Sequence, residues 1–180
     1  RSDDQGETWS NPVLLFDAGS AGWDQIDNPH LAVAADGSLH VIFTRYSLLT
    51  QASQGLFYSS SKDQGITWSE TEQLSESPVV WSALVSSSAN TIHRFWESLD
   101  DQSLNVTHEY TQDNGLTWIQ SSSLPGAAQL TGLVGFSLSP AGRIHLLAAS
   151  RANEAAAEIQ YWVWESGNWS SESPLNLGLT

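Results

Sequence analysis

Cysteine and methionine are absent from this 180-residue chain, and lysine nearly so, with Lys62 its single copy beside five arginines. Without cysteine, nothing in the sequence reports the redox compartment. Against these six cations stand 20 acidic residues, for a net charge of −14. That balance argues against nucleic acid and anionic membrane surfaces as partners. No apolar run is long enough to span a bilayer, so no membrane insertion is expected. No signal peptide is visible, and the chain opens at Arg1 inside a repeat, without Met, as a fragment or processed piece would. Helical patterning is nearly absent too. The one helix-like run, residues 153–158, is too short to stand alone and reads as loop or a single turn. What is present is 40% hydrophobic residues, ample for one core, and nine tryptophans. Tryptophan and serine in this abundance fit an extracellular or cell-surface module, and equally a fold pinned by repeated tryptophans.

One eight-residue pattern organises the chain. It reads Ser2-Asp3-Asp4-Gln5-Gly6-Glu7-Thr8-Trp9, then Ser61-Lys62-Asp63-Gln64-Gly65-Ile66-Thr67-Trp68, then Thr111-Gln112-Asp113-Asn114-Gly115-Leu116-Thr117-Trp118. The shared form is Ser/Thr-x-Asp-x-Gly-x-Thr-Trp. Aspartate at the head of a turn accepts backbone N–H bonds, and Ser or Thr does so more weakly. Glycine two residues later supplies a positive φ without a Cβ clash. Threonine and tryptophan then re-enter a strand, where β-branched and aromatic side chains pack well. Each copy is therefore expected to be a tight turn between two strands, locked by Asp4, Asp63 or Asp113, turned by Gly6, Gly65 or Gly115, and pinned by a buried Trp9, Trp68 or Trp118. An aspartate so occupied is a poor ligand or acid, and the structural reading is preferred. A fourth tryptophan, Trp169, continues the series in a decayed copy at Glu165-Ser166-Gly167-Asn168-Trp169-Ser170. The spacing of roughly 50–60 residues is that of propeller blades with several strands each.

The pattern resembles the Asp-box of the sialidase superfamily, the bacterial neuraminidase repeat. The resemblance spans nearly the whole chain. It implies an all-β fold, a β-propeller of four-stranded antiparallel blades, each box turning between the third and fourth strands on the side away from the active site. Asp-boxes also occur in xyloglucanase-like glycosidases, sortilin-type receptors and photosystem assembly factors, so the resemblance specifies fold more sharply than activity.

With the strands of a blade named a to d from the axis outward, residues 9–16 read as an orphan outer d strand. Three blades are expected at about residues 30–75, 79–123 and 130–177. The turn Asp36-Gly37 between apolar runs is a hairpin signal for the first. Three blades plus one strand amount to half of the family's six-bladed ring. The missing blades would come from the rest of a longer chain or from a second copy.

Three histidines recur at one repeat position, in Leu39-His40, Ile92-His93 and Ile144-His145. A metal site is the first thought. Their recurrence in separate blades, at the end shared with the boxes, favours a structural role instead; no metal and no cofactor are expected. In propellers, ligand chemistry concentrates on the opposite rim. Rim residues with usable chemistry are Trp23, Asp24, Asp27, Arg45, Tyr46, Glu97, Asp100, Asp101, Arg151 and Glu154. A sialidase site, as the family has it, holds a substrate carboxylate with three arginines and uses a tyrosine nucleophile assisted by Glu, with an Asp acid/base. Arginine forks match carboxylates bidentately, and glycoside cleavage needs an acid and a nucleophile. Arg45, Glu97 and Arg151 are the catalytic candidates, Arg94 being less suitably placed near the start of its strand. Trp23, Asp24 and Tyr46 are the substrate-binding candidates, with Trp23 as a stacking platform or simply a loop anchor. The family's Phe-Arg-Ile-Pro segment is absent, and no tyrosine stands out as nucleophile. The functional expectation is a sialidase-like, carbohydrate-directed propeller that could act as an exo-glycosidase, with a glycan or other small carbohydrate as ligand. The alternative is a non-catalytic Asp-box propeller, a glycan-binding or protein-interaction scaffold.

Overall fold

A computed structural model of the chain describes residues 1–88, 91–100, 103–125, 129–153 and 156–172. They form three four-stranded antiparallel sheets, and no helix occurs among the described residues. The first sheet runs β1 (Gln25–Val33), β2 (Leu39–Ser47), β3 (Ala52–Ser61) and β4 (Glu72–Ser75). The second comprises β5 (Val79–Ser88), β6 (Thr91–Asp100), β7 (Ser103–Thr111) and the short β8 (Ile119–Gln120). The third is β9 (Gln129–Leu138), β10 (Ile144–Asn153), β11 (Ala156–Glu165) and β12 (Asn168–Glu172). Each is a simple meander, as short connections between sequential strands favour.

The sheets stack face to face. Ala32, Ile42, Leu56 and Tyr58 of the first meet Val79, Leu84, Ile92 and Trp96 of the second. Phe95 and Val106 of the second meet Ile144, Leu146, Trp162 and Trp169 of the third. Strand alternation explains the order. On β6, Ile92, Arg94 and Trp96 point to the first sheet, while His93, Phe95 and Glu97 point to the third.

The three full boxes are near-identical. In the second, Ser61 Oγ donates to Asp63 Oδ1 at 2.8 Å and accepts from the Gly65 N–H at 2.8 Å. Asp63 also accepts from the Thr67 N–H at 2.8 Å and its hydroxyl at 2.6 Å. Thr111 and Asp113, and Ser2 and Asp4, repeat the scheme. These bonds favour the carboxylate form and hold Asp4, Asp63 and Asp113 down at about 2. The residue before each glycine, Gln5, Gln64 or Asn114, is left-handed as well, with φ of 60°, 60° and 55°.

The tryptophans are not uniformly buried, contrary to expectation. Trp9 is 73% exposed, and Trp68 and Trp118 are half-buried. The reason lies between sheets. Trp118 of the second sheet packs on Tyr58 of the first, and Trp169 of the third packs on Phe95 and His108 of the second. Trp118 and Trp169 lean on the preceding sheet, Trp68 lies against Val41, Phe43 and Phe57 of its own, and no described sheet precedes the first box. Residues 9–16 likewise form no strand, because no described strand offers them a ladder. Leu15 and Phe16 instead fold, with Trp23, over the outer face of the first sheet, against Val41, Phe43 and Phe57. The β2–β3 connection is only residues 48–51, because both strands extend to it.

Candidate functional site

The a–b turns and boxes share one end of the sheets; the b–c and d–a connections form the opposite rim. Near that rim on β6 lies Glu97, flanked by Trp81 on β5 and Val106 on β7. Its relative exposure is 0%, and neither carboxylate oxygen has a hydrogen-bond partner among the described residues. Desolvation without compensation favours the neutral acid. The Glu97 carboxyl is accordingly pushed up to about 7. Such a group carries a proton at a pH where an ordinary glutamate has lost it.

Arg45 does not meet it. On β2, Val41, Phe43 and Arg45 share the face turned away from the second sheet, and the Arg45 guanidinium lies 5.6 Å from the Trp23 ring centre. Trp23 is also packed by Phe16 and Phe57, both at 4.5 Å between centroids. Asp24 accepts the Leu48 N–H at 3.0 Å and ties its loop to the β2–β3 connection. Trp23 and Asp24 thus anchor residues 17–24 to the first sheet. Tyr46, beside Arg45, is half-buried and stands opposite Gln25 and Ser53. Asp27 caps its own β1 bulge by accepting the Asn28 N–H. Arg151 stands opposite Ala157 near the rim end of β10; its side chain lies outside the described set, as do that of Asp100 and all of Asp101 and Glu154.

Arg94 is committed elsewhere. It is buried, its Nε donates to Glu109 at 2.7 Å, and its guanidinium lies 3.9 Å from the Trp118 ring centre and 5.1 Å from that of Tyr58. It cements the first sheet to the second, and the described side chains bring no three arginines together.

The recurring histidines each bond within their own sheet. His40 Nδ1 meets Tyr58 Oη at 2.7 Å, and His145 Nδ1 meets Tyr161 Oη at 2.7 Å. In the second sheet the partner is another histidine. His93 Nδ1 and His108 Nε2 are 3.0 Å apart, with Ser87 Oγ at 2.7 Å on His93 Nε2 and Ser121 Oγ at 3.1 Å on His108 Nδ1. The direction of this chain follows from its end. Ser121 Oγ donates to the Ser122 carbonyl and accepts from Trp169 Nε1, so it must also accept from His108 Nδ1. His93 Nδ1–H then donates to His108 Nε2, and both rings are neutral. Burial among Phe95, Tyr110, Trp164 and Trp169 lowers both pKa values, and His93 lowers His108 further. His108 stands where the other sheets have Tyr58 and Tyr161; the sequence reading followed only the recurring histidines and missed the recurring partner position.

Both histidines bind fewer protons folded than unfolded between the ordinary value of 6.5 and their lowered ones. Their contribution is therefore intact above pH 6.5 and lost as pH falls, at up to about 1.4 kcal/mol per pH unit for each. Glu97 works in the opposite sense, so the Glu97→Gln background isolates the effect. There, urea midpoints should drop steadily between pH 7 and pH 5; flat midpoints would mean that the pair is not buried as a neutral unit.

A family model for the BNR repeat-like domain matches residues 1–178. The chain belongs to this family. Among solved structures, it is similar to the Hadza microbial sialidase Hz136, at 16% identity and a TM-score of 0.62, over 95% of this chain and 39% of that one. It is similar to the Penicillium chrysogenum α-L-arabinanase complexed with arabinobiose, at 19% identity and 0.52, over 84% and 51%. An ulvan lyase from a polysaccharide lyase family aligns at 9% identity and 0.52, over 81% and 43%. At such identities the likeness is one of fold. The chain spans between two fifths and about half of these proteins' lengths. No curated protein sequence matches it.

Proposed function

We propose that this BNR repeat chain is part of a carbohydrate-directed propeller, a sialidase-like exo-glycosidase that departs from the family pattern in having Glu97, and not an aspartate, supply the acid. The observation that carries the reading is the carboxyl itself: buried near the rim, unpaired among the described residues and held near 7. A glycosidase acid must be protonated at working pH to donate to the leaving-group oxygen, and burial is how proteins keep a carboxyl neutral there. Support for the ligand class comes from the fold's company, a sialidase and an arabinanase among its structural neighbours. In this reading the three sheets are consecutive blades, half of a six-bladed ring completed by further chain or by a second copy. Arg45, Tyr46 and Arg151 then contribute substrate contacts on the completed rim.

Two observations favour a second reading, a non-catalytic glycan-binding or protein-interaction propeller. Glu97 is fully covered, and Arg94 is spent on Glu109 rather than on a substrate carboxylate. Fluorogenic sialoside and neutral glycoside reporters separate the two. Turnover by the wild-type protein that disappears in Glu97→Gln supports the enzyme. No turnover from a folded sample of the complete ring leaves the scaffold.

A further inference from the structure

The boxes do more than close strands; each presses on the sheet before it. The box of the second sheet seats Gly115 on the His40–Tyr58 pair of the first. A Cβ there would lie 2.7 Å from His40 Cε1 and 2.9 Å from Tyr58 Oη. Between the second and third sheets this plug is missing. The β11–β12 connection has shrunk to Ser166 and Gly167, at φ of 53° and 89°, where the β7–β8 connection carries a full box. Two left-handed residues make the tightest hairpin turn, which cannot reach down as a box does. A Cβ on Gly167 would meet only Tyr110 Oη, at 3.9 Å.

The unfilled space is a cavity of about 390 Å³, at the end of the sheets opposite Glu97. This lies within the roughly 300–1,000 Å³ of small-molecule sites. Its lining includes Ser87, Thr91, Tyr110, Gln112, Trp164 and Ser166. The set is neutral in a chain of net charge −14, so it offers no cation for an acidic ligand and no carboxylate for a cation. It is rich in hydroxyl and amide groups. The hydroxyls of Tyr110 and Thr91 and the Gln112 side-chain amide have no hydrogen-bond partner among the described residues. Trp164, more than nine-tenths buried, lends part of its indole to the lining, its N–H turned away from solvent. Aromatic surface beside neutral donors and acceptors is the chemistry that holds an uncharged polyol.

We infer that this cavity is a binding site for a neutral sugar unit, separate from the Glu97 rim and created by the loss of the fourth box. Saturation-transfer NMR of the full chain with methyl glycosides of glucose, galactose and mannose tests it, with N-acetylneuraminic acid as the charged comparison. At least one neutral glycoside should show transfer and quench tryptophan fluorescence, and the acidic sugar should not bind there. Tyr110→Phe keeps the ring and removes only an unpartnered hydroxyl, so the fold is retained; it should weaken binding about fivefold or more, as should Gln112→Ala. Binding of none of the three neutral glycosides overturns the inference. So does binding whose affinity is the same in both variants, which would place the sugar elsewhere. Neither result depends on whether Glu97 catalyses.

Discussion

Glu97→Gln is expected to cut glycoside turnover by about 10²–10⁴-fold while making the protein more stable at neutral and alkaline pH. The two effects have one cause. Burial without a partner raises the carboxyl from 4.5 to about 7. The folded state therefore binds the proton more tightly than the unfolded state does. Its stabilising share is full below pH 4.5 and is lost as pH rises through about 7. The loss is about 1.4 kcal/mol for each pH unit between those two values, hence up to about 3 kcal/mol at pH 8. Glutamine has nearly the same shape and cannot ionise, so it avoids that loss but cannot donate a proton to a leaving group. Denaturation at pH 8 and pH 4 should show Glu97→Gln well above wild type at the first and level with it at the second. Retained turnover would remove Glu97 from the chemistry. An equal stability difference at both pH values would mean that the carboxyl is solvated in solution. A site residue that costs stability is the usual trade between stability and function.

Gly115→Ala should be the most damaging of the box glycine substitutions, by on the order of 3 kcal/mol or more. All three box glycines are left-handed, at 94°, 88° and 80° for Gly6, Gly65 and Gly115. That alone costs a Cβ-bearing residue about 1–2 kcal/mol. The surroundings decide the rest. At Gly6 a Cβ meets nothing within 4 Å. At Gly65 it meets the tip of Leu39 at 3.3 Å, which can yield. At Gly115 it drives into His40 and Tyr58, both buried and bonded to each other at 2.7 Å. Urea midpoints at constant m should fall in the order Gly6→Ala, Gly65→Ala, Gly115→Ala, with the last well separated. Equal losses at all three would show that the box of the second sheet does not press on the first sheet.

The boxes were legible because their bonds are local. Ser61 to Asp63, and Asp63 to Thr67, span two and four residues, so the chemistry that makes the turn is written where the turn occurs. The same holds for Asp36-Gly37, where Ser38 bonds Asp36. The antiparallel strands followed from alternation between such turns, although residues 9–16 form none. The structural role of His40, His93 and His145 followed from their recurrence at one position.

The tertiary structure decided whatever depends on which sheet lies next. Trp9, Trp68 and Trp118 share one motif, yet Trp9 is exposed while Trp68 and Trp118 are half-buried against the two faces of the first sheet. His108 occupies the repeat position of Tyr58 and Tyr161, but its neutral state came from burial against Phe95, Trp164 and Trp169 of two packed sheets. Glu97 was legible as a rim carboxylate and catalytic candidate, but its complete burial without a partner among the described residues was not. Arg45 and Glu97 fall at neighbouring repeat positions, yet strand alternation sends them to opposite faces of their sheets. The cavity beside Tyr110 exists because a turn two residues long stands where a box would reach across. Sequence alone determined the turns and the repeat, since short-range hydrogen bonds specify them; burial, pairing and charge state were settled by contacts between sheets, which no local pattern encodes.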